Sequence, residues 1–349
     1  MADVLDYNKP SAAQWVTATR LLASAVAATA GAVMLFVAWW FFSLNALQFF
    51  LLVLALAFVA LLPLSRKVSV AYARYTVLIL VGCVMLMPFA WLAAAAFKDK
   101  DVLNEYMFLP PITKWSSETL NNENFVELFK PKPTLQGEVS FWRYVSNSLF
   151  LASAGTFLNL FFSSLGGYAL AKYRFRGRGA VMTFMLASLT IPGVVLLAPN
   201  YELIYHLGWM DSYKSLLIPG AVSVFGIFLF RQAIIGVPDD IIEAGRIDGC
   251  GEFRIYLQLV MPLVRPMSGA FCLVAFLGAW NSFLGPNIFL QSQDKLPLPV
   301  VLNMYVGQYQ QQYGVFLAGT LLAILPPAVL FFALQKEFIS GLTTGAVKG

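Results

Sequence analysis

The charged side chains whose spacing is most suggestive lie between Val237 and Pro262, in a segment much more polar than the sequence around it. Glu243, Arg246 and Asp248 fall within about two turns of one helix, because an α-helix has about 3.6 residues per turn. Carboxylates and guanidinium groups in such an array bind a complementary protein surface through charge-assisted hydrogen bonds. The pattern therefore predicts either a docking knob for a soluble partner or a solvated loop, and the residue types alone leave both open.

The same segment carries signals for where its helices begin and end. Pro238 and the two aspartates after it predict a helix start, with Asp240 as N-cap and Glu243 three residues on, the spacing of a capping box. Gly249 predicts the end of this helix and a sharp change of direction. A second helix is predicted over about 251–261, stopped by Pro262. Two short helices, too short and too polar to cross a membrane, would meet here at an angle.

Other side chains that could do chemistry are few. The chain has one histidine, His206, and three cysteines, Cys83, Cys250 and Cys272, and their spacing fits neither a metal-ligand set nor a disulfide framework. The sequence has no Gly-x4-Gly-Lys-Ser/Thr phosphate loop. It also lacks a basic cluster interleaved with aromatic residues outside the membrane flanks. We therefore predict no catalytic residue, no cofactor, no metal and no nucleic-acid partner.

Composition indicates what must position the polar segment. Of the 349 residues, 59% are hydrophobic and only 12% are charged, whereas soluble domains carry about 25% charged residues. A membrane-spanning helix needs about 20 mostly apolar residues. The sequence therefore predicts an all-α polytopic membrane protein with about eight transmembrane helices. The predicted spans are 19–42, 46–64, 75–97, 144–171, 180–200, 214–233, 267–290 and 314–335.

The distribution of lysine and arginine predicts the orientation. Loops rich in these residues remain in the cytoplasm. The basic turn 172–178 and the segment 235–262 are then cytoplasmic, as are both termini, while the long polar segment 98–143 lies outside. An odd number of spans would put basic loops on both faces. Pro192, Pro219, Pro326 and Pro327 lie within spans and predict kinks.

The polar segment resembles a known family signature. Glu243-Ala244-Gly245, three residues, Gly249, nine residues, Leu259, one residue and Met261-Pro262 match the spacing of the EAA signature of ABC importer permeases, whose pattern is Glu-Ala-Ala, x3, Gly, x9, Ile-x-Leu-Pro. Leu259 and Met261 are apolar exchanges. Gly245 in place of alanine lowers helix propensity by about 1 kcal/mol.

The resemblance covers about residues 72–349 and is closest to the carbohydrate branch. The stretches that carry it are Leu207–Tyr213, the pair Trp280-Asn281 and the tail Gly341–Gly349. The whole looks like the second permease subunit of maltose-type and multiple-sugar importers, which usually has six helices. Residues 1–71, with the extra N-terminal hairpin, would then form one part of the chain and 72–349 the permease domain.

The resemblance implies a transport subunit that is not itself an enzyme. In the family, two permeases pair in the bacterial inner membrane, two cytoplasmic ATPase subunits bind beneath them, and an extracytoplasmic solute-binding protein delivers the sugar. Glu243 would be the charged anchor in the ATPase cleft, Ala244 and Gly245 would permit close approach, and Gly249 would set the bend. Arg246 and Asp248 would either pair with the partner or simply solvate the helix. The ATPase-docking set is thus Glu243, Ala244, Gly245, Arg246, Asp248 and Gly249.

The candidate substrate path is Trp280, Asn281 and Asn287, with the stretch Asn303–Tyr313. Aromatic rings stack on sugars and amides bind hydroxyl groups, but Trp280 is equally explained as an aromatic anchor at the membrane interface.

Two other classes remain alternatives. A gradient-driven secondary transporter usually carries ionisable residues within its spans, which are almost free of them here. An ABC importer permease for a non-sugar solute would share the signature. A membrane enzyme is a third, weaker alternative.

Overall fold

The computed structural model describes residues 66–307 and 312–346, together with Thr29. The hairpin predicted over 19–42 and 46–64 lies outside this part of the chain. The described helices, in chain order, are α1 Arg66–Ala96, α2 Glu123–Phe129, α3 Phe141–Lys172, α4 Arg178–Ser188, α5 Leu197–His206, α6 Lys214–Leu217, α7 Val224–Ile235, α8 Asp239–Ile247, α9 Glu252–Leu263, α10 Arg265–Trp280, α11 Leu284–Phe289, α12 Leu298–Gly307, α13 Tyr313–Ala323 and α14 Leu325–Ala346. Short 3-10 turns cover Ile112–Lys114, Gly193–Leu196 and Gln293–Lys295. The prediction of an all-α protein is confirmed.

Three stretches of this structure are long and apolar enough to cross a membrane: Val70–Ala96, Phe141–Lys172 and Tyr313–Ile339. Two bent helix pairs pass the same test when each pair is taken as one span. The described residues thus supply three to five of the eight predicted spans. In the first stretch only 6% of the most apolar window is buried, so its side chains are free to face lipid or another subunit.

The fifth and sixth predicted spans are not continuous helices. α4 ends at Ser188 and helix resumes at Gly193 after Pro192, with a bend of 93°. The predicted span 214–233 is divided into α6 and α7, with Pro219 between them. Proline breaks these helices because it lacks an N–H group and its ring clashes with the preceding turn. Ser223 caps α7 by accepting a hydrogen bond from Gly226 N at 3.1 Å.

The prediction for residues 267–313 was also wrong in its boundaries. α10 ends at Trp280, and α11 is a separate short helix. The connection 291–313, which lies between the last two predicted spans, contains the apolar helix α12, with Leu298 and Val300 buried. A ten-residue helix is too short to span a bilayer, so hydropathy over a longer window missed it.

The polar segment 98–143 is folded. It contains α2 and an antiparallel hairpin of β1 Lys132–Thr134 and β2 Gly137–Val139, with Lys132 opposite Val139. Gly137 has φ +115°, a conformation that glycine adopts without strain. Leu128 and Val139 join the core beneath this segment.

Glycines let the backbones of α3, α7 and α10 approach one another closely. A Cβ at Gly167 would lie 2.5 Å from Phe230 Cβ, and one at Gly226 would lie 2.7 Å from the Phe271 ring. Close backbone approach at small residues is the usual way in which membrane helices pack, because lipid offers no hydrophobic driving force between them.

The backbone divides into two compact units, Met1–Trp91 and Leu92–Gly349, and α1 passes from one to the other. The division expected at residues 71 and 72 falls within α1 and stays a prediction.

Candidate functional site

The first turn of α8 is built differently from the prediction. The helix begins at Asp239 after Pro238, which holds the N-cap position without a side-chain hydrogen bond, so Asp240 is not the N-cap and the capping box with Glu243 does not form. Asp239 and Asp240 both lie in the first turn, where carboxylates favour the positive end of the helix dipole. The sequence signal for a helix start was therefore right, while its detailed geometry was wrong.

The predicted role of Gly249 as helix terminator is confirmed. It has φ +78°, and its N–H donates to Arg246 O at 3.0 Å, while Cys250 N–H donates to Gly245 O at 2.9 Å. These two bonds form a Schellman motif, which satisfies the last carbonyl groups of the helix. The motif holds the end of α8 in a defined direction.

The second helix of the segment is longer than predicted. α9 runs to Leu263 and includes Pro262, and Ile255–Val260 within it is π-helical. The wider π turn changes the hydrogen-bond register just before Pro262, which makes the missing N–H tolerable. The chain turns after Val264, and α9 and α10 meet at 86°.

α8 has a buried face and an exposed face. Ile242 is 3% exposed and joins the core with Ile255 of α9. A Cβ at Gly245 would lie 2.7 Å from Leu259 Cδ1, so the close approach that Gly245 permits is to α9 of the same chain. Gly245 had been predicted to permit the approach of a partner. The exposed members of the predicted set are Glu243, Ala244, Arg246, Asp248 and Gly249.

Ion pairs fasten both ends of α8. Lys172 Nζ lies 2.6 Å from Asp239 Oδ1, and this hydrogen bond lowers the pKa of Asp239. Arg246 Nε lies 2.7 Å from Glu252 Oε1, so Arg246 is paired within the chain. Sequence reasoning missed Lys172 and Glu252. The usable signal for Glu252 was its opposite charge just beyond Gly249, whereas Lys172 had been used only for orientation.

Trp280 is buried within this chain. It is 3% exposed, stacks on Phe276 with ring centroids 5.8 Å apart, and donates its Nε1–H to Ala323 O at 3.2 Å. A buried indole with its N–H satisfied is a packing residue. Trp280 therefore packs α10 against the chain near Ala323 and presents no open ring face for a sugar.

The two asparagines of the predicted path, Asn281 and Asn287, are exposed. Neither lines the cavity of about 360 Å³ that lies between α3, α6 and α10, although their neighbours Ser282 and Pro286 do. The other polar side chains on this cavity are Ser148 and Asn159. In the stretch Asn303–Tyr313, Asn303 and Tyr313 are exposed and Tyr305 is buried.

Among the residues described, no three His, Cys, Asp or Glu side chains are grouped as metal ligands. His206 ends α5 and is exposed, with Nε2 3.8 Å from Glu202 Oε1. Cys83, Cys250 and Cys272 are free thiols.

Comparison with known proteins shows the family of this chain. Residues 163–340, just over half of the chain, match the family described as binding-protein-dependent transport system inner membrane component, and the chain belongs to that family. It is 37% identical over 232 residues to the arabinooligosaccharides transport system permease protein AraQ of Bacillus subtilis, covering 66% of this chain and 80% of that one. It is 34% identical over 279 residues to the maltodextrin transport system permease protein MdxG of the same organism, covering 79% and 95%.

The fold matches a solved transporter. A chain of the crystal structure of a bacterial ABC transporter involved in the import of the acidic polysaccharide alginate superposes with a TM-score of 0.66 and 21% identity, covering 78% of this chain and 98% of that one. The likeness establishes a common fold, and the chain is a multi-pass inner membrane component of a transport system.

Proposed function

We propose that this chain is the permease subunit of an ATP-driven, binding-protein-dependent sugar importer, and that α8 docks it to a cytoplasmic ATPase. The observation that carries the proposal is the exposed face of α8. Glu243 and Ala244 project from a short helix whose opposite face is buried and whose end is held by the Schellman motif. A charged, rigid, protruding helix of this kind fits a cleft on a soluble partner.

The cargo is inferred from the relatives. AraQ and MdxG are named for arabinooligosaccharides and maltodextrin, and the related crystal structure concerns alginate import. We therefore assign the sugar class, and within it oligosaccharides. Asn281 and Asn287 remain the proposed contacts with the sugar, because both are exposed and both adjoin residues that line the cavity.

The assembly consists of this chain, a second permease subunit, two ATPase subunits that hydrolyse ATP, and an extracytoplasmic solute-binding protein. Both termini and α8 are cytoplasmic, and 98–143 is outside. The docking set is Glu243, Ala244, Arg246, Asp248 and Gly249, with Gly245 supporting it from within.

Mild-detergent purification of the tagged chain from its native membrane, followed by mass spectrometry, tests the assembly. Recovery of an ATPase, a second permease and a binding protein is expected. A chain that purifies alone in several mild detergents would favour a gradient-driven transporter. A binding protein that retains amino acids or peptides, and no sugar, would overturn the cargo assignment.

Glu243→Ala tests the docking role. We expect the variant to insert normally and to lose ATPase attachment or sugar uptake by on the order of tenfold or more, as for a charged hot-spot residue. Glu202→Ala, an exposed glutamate on α5, is the matched control. Uptake by Glu243→Ala equal to that of the control would remove Glu243 from the docking set.

A further inference from the structure

α8 is fastened at both ends to the last turn of one helix, α3. At its start, Lys172 Nζ binds Asp239 Oδ1 at 2.6 Å and also donates to the backbone oxygen of Val237. At its end, Arg246 pairs with Glu252, which accepts hydrogen bonds from Tyr173 at 2.7 Å and Tyr168 at 3.3 Å. We call these two connections the Lys172 clasp and the Glu252 clasp.

The α3 side of both clasps is firmly anchored. Tyr168 is 3% exposed, and its ring packs against Tyr173 and Tyr256 with centroids 5.8 and 5.6 Å apart. The Tyr256 hydroxyl lies 2.7 Å from Ser164 Oγ, one turn earlier in α3. Interiors packed in this way do not deform continuously, so this end of α3 and the start of α9 hold a single arrangement.

The two clasps differ in their resistance to opening. The Lys172 side chain is only 7% exposed, and a buried ammonium group left without its oxygen partners is strongly unfavourable. The Arg246–Glu252 pair is exposed at 47% and 44%, and such a pair contributes little to stability alone. Its effect arises because Glu252 also binds the two tyrosines and so joins α8, α9 and α3.

α3 continues without a break from these clasps to the cavity. It is a helix of 32 residues, and its residues Ser148, Leu151, Gly155 and Asn159 line the cavity wall. A helix of this length reaches about 48 Å at 1.5 Å per residue. A displacement of α8 that the clasps transmit would therefore arrive at the cavity as a movement of α3.

We propose that Lys172 and Glu252 are positioning residues that make α8 and α3 one rigid lever, so that movement of the docking helix is delivered to the cavity-lining face of α3. The proposal rests on the docking of α8 to an ATPase. Lys172 and Glu252 act through Asp239 and Arg246, and neither needs to touch the partner.

Cross-linking tests the lever in the complete importer reconstituted in liposomes, after Cys83, Cys250 and Cys272 are replaced by serine. Lys172→Cys with Asp239→Cys removes one clasp, and we expect sugar taken up per ATP hydrolysed to fall by about threefold or more. A short bis-maleimide that joins the two thiols should restore this ratio, and a monofunctional maleimide should not. A cross-link that lowers the ratio further would show that α3 and α8 must separate, and an unchanged ratio in the double variant would show that the clasp has no role.

The pair Glu127 and Lys130 on the outer segment is the matched control, because its atoms lie at a similar 2.8 Å and it is far in sequence from α8. Its double cysteine variant should leave the ratio unchanged with or without cross-linking. Tyr173→Phe and Glu252→Gln provide a second test, since the first removes one hydrogen bond and the second removes the charge and one of the two acceptor oxygens. Both should lower the ratio, and normal ratios in both would overturn the role of the Glu252 clasp.

The experiments distinguish an error in the lever proposal from an error in the docking proposal. If no ATPase accompanies the wild-type chain, the proposed function itself is wrong. If the ATPase remains attached in every variant and the ratio does not change, docking stands and the lever is wrong.

Discussion

Two groups of charged side chains each hold a segment of this protein in place, one centred on Asp211 and the other at the ends of α8. Their hydrogen bonds are distributed in opposite ways. On the proposed outer side, one carboxylate makes nearly all the bonds. Asp211 accepts from the N–H groups of Gln291 and Ser292, from the Ser292 hydroxyl, and from Lys295 Nζ at 2.7 Å. On the proposed cytoplasmic side, the bonds are divided among Asp239, Arg246 and Glu252 at the two ends of α8.

The environments differ as well. The side chains of Asp211 and Lys295 are 26% and 36% exposed, and Asp211 holds φ at +55°, a conformation that aspartate tolerates better than most residues. Burial by itself would raise the pKa of Asp211, but the hydrogen bonds from Lys295 and Ser292 outweigh it and hold that pKa well below its usual range. A clamp centred on one residue holds its loop in place, while bonds divided between the two ends of a helix allow that helix to be displaced as a unit. The clamp at Asp211, which we call the outer clamp from its proposed location, therefore suits a fixed part of the protein, and the two clasps of α8 suit a moving part.

The largest effect is expected from Asp211→Ala. It removes the acceptor for the 291–295 segment and leaves the half-buried Lys295 ammonium with only the backbone oxygen of Asp211. We expect the free energy of unfolding to fall by about 2 kcal/mol, measured through the thermal midpoint in detergent. Asp211→Asn, which keeps an acceptor and tolerates the same φ, should lose less. An Asp211→Ala variant as stable as wild type would show that Asp211 does not hold the 291–295 segment in place.

Acid should weaken the outer clamp by less than the alanine substitution does. The pKa of Asp211 is depressed in the folded protein, so its stabilisation is fully present above the unfolded-state pKa of about 3.9 and is lost as pH falls through the lower folded value. Thermal midpoints of wild type and Asp211→Asn, compared between neutral pH and pH about 3, check this sign. The difference between the two proteins should shrink on acidification, and a difference that grows would contradict the assignment.

The smallest effect is expected at the end of α8. Gly249→Ala meets no atom within 4 Å, so its cost is the backbone strain at φ +78°, about 1 kcal/mol. Uptake should decrease because the exposed face of α8 is no longer held in one direction. Gly249→Asn, which tolerates this conformation, should keep more of the activity. Equal losses in both variants would show that a side chain at this position, and not the strain, is the cause.

Much of the local structure could be predicted from sequence. The spans of α1 and α3, the start of α8 to within two residues and the turn at Gly249 all follow from composition or from short-range signals. The positions of the breaks at Pro192 and Pro219 were predicted correctly, but kinks were expected where the helices are interrupted. A proline shows where a helix is weak and not how far the chain bends there. The short helix α12 was missed because ten residues lie below the length that hydropathy recognises.

Of the candidate site, only the residues on the exposed face of α8 could be predicted from sequence. Glu243 and Ala244 were placed on the open face of a short helix, and the structure puts them there. Gly245 and Trp280 were assigned to a partner or a ligand, whereas both pack against other parts of this chain. Glycine and tryptophan serve interiors and binding surfaces equally well, so their residue types do not distinguish the two.

By itself, the sequence determined that this protein crosses a membrane, that a short charged helix projects from it, and that this helix ends at Gly249. These are properties of consecutive residues, since bilayer insertion and helix capping act over one or a few turns. Only the tertiary structure decided that Lys172 binds Asp239, 67 residues away, and that Asp211 binds Lys295, 84 residues away. Such pairings depend on how bent helices pack, and a charge in a sequence does not indicate which distant charge will lie beside it.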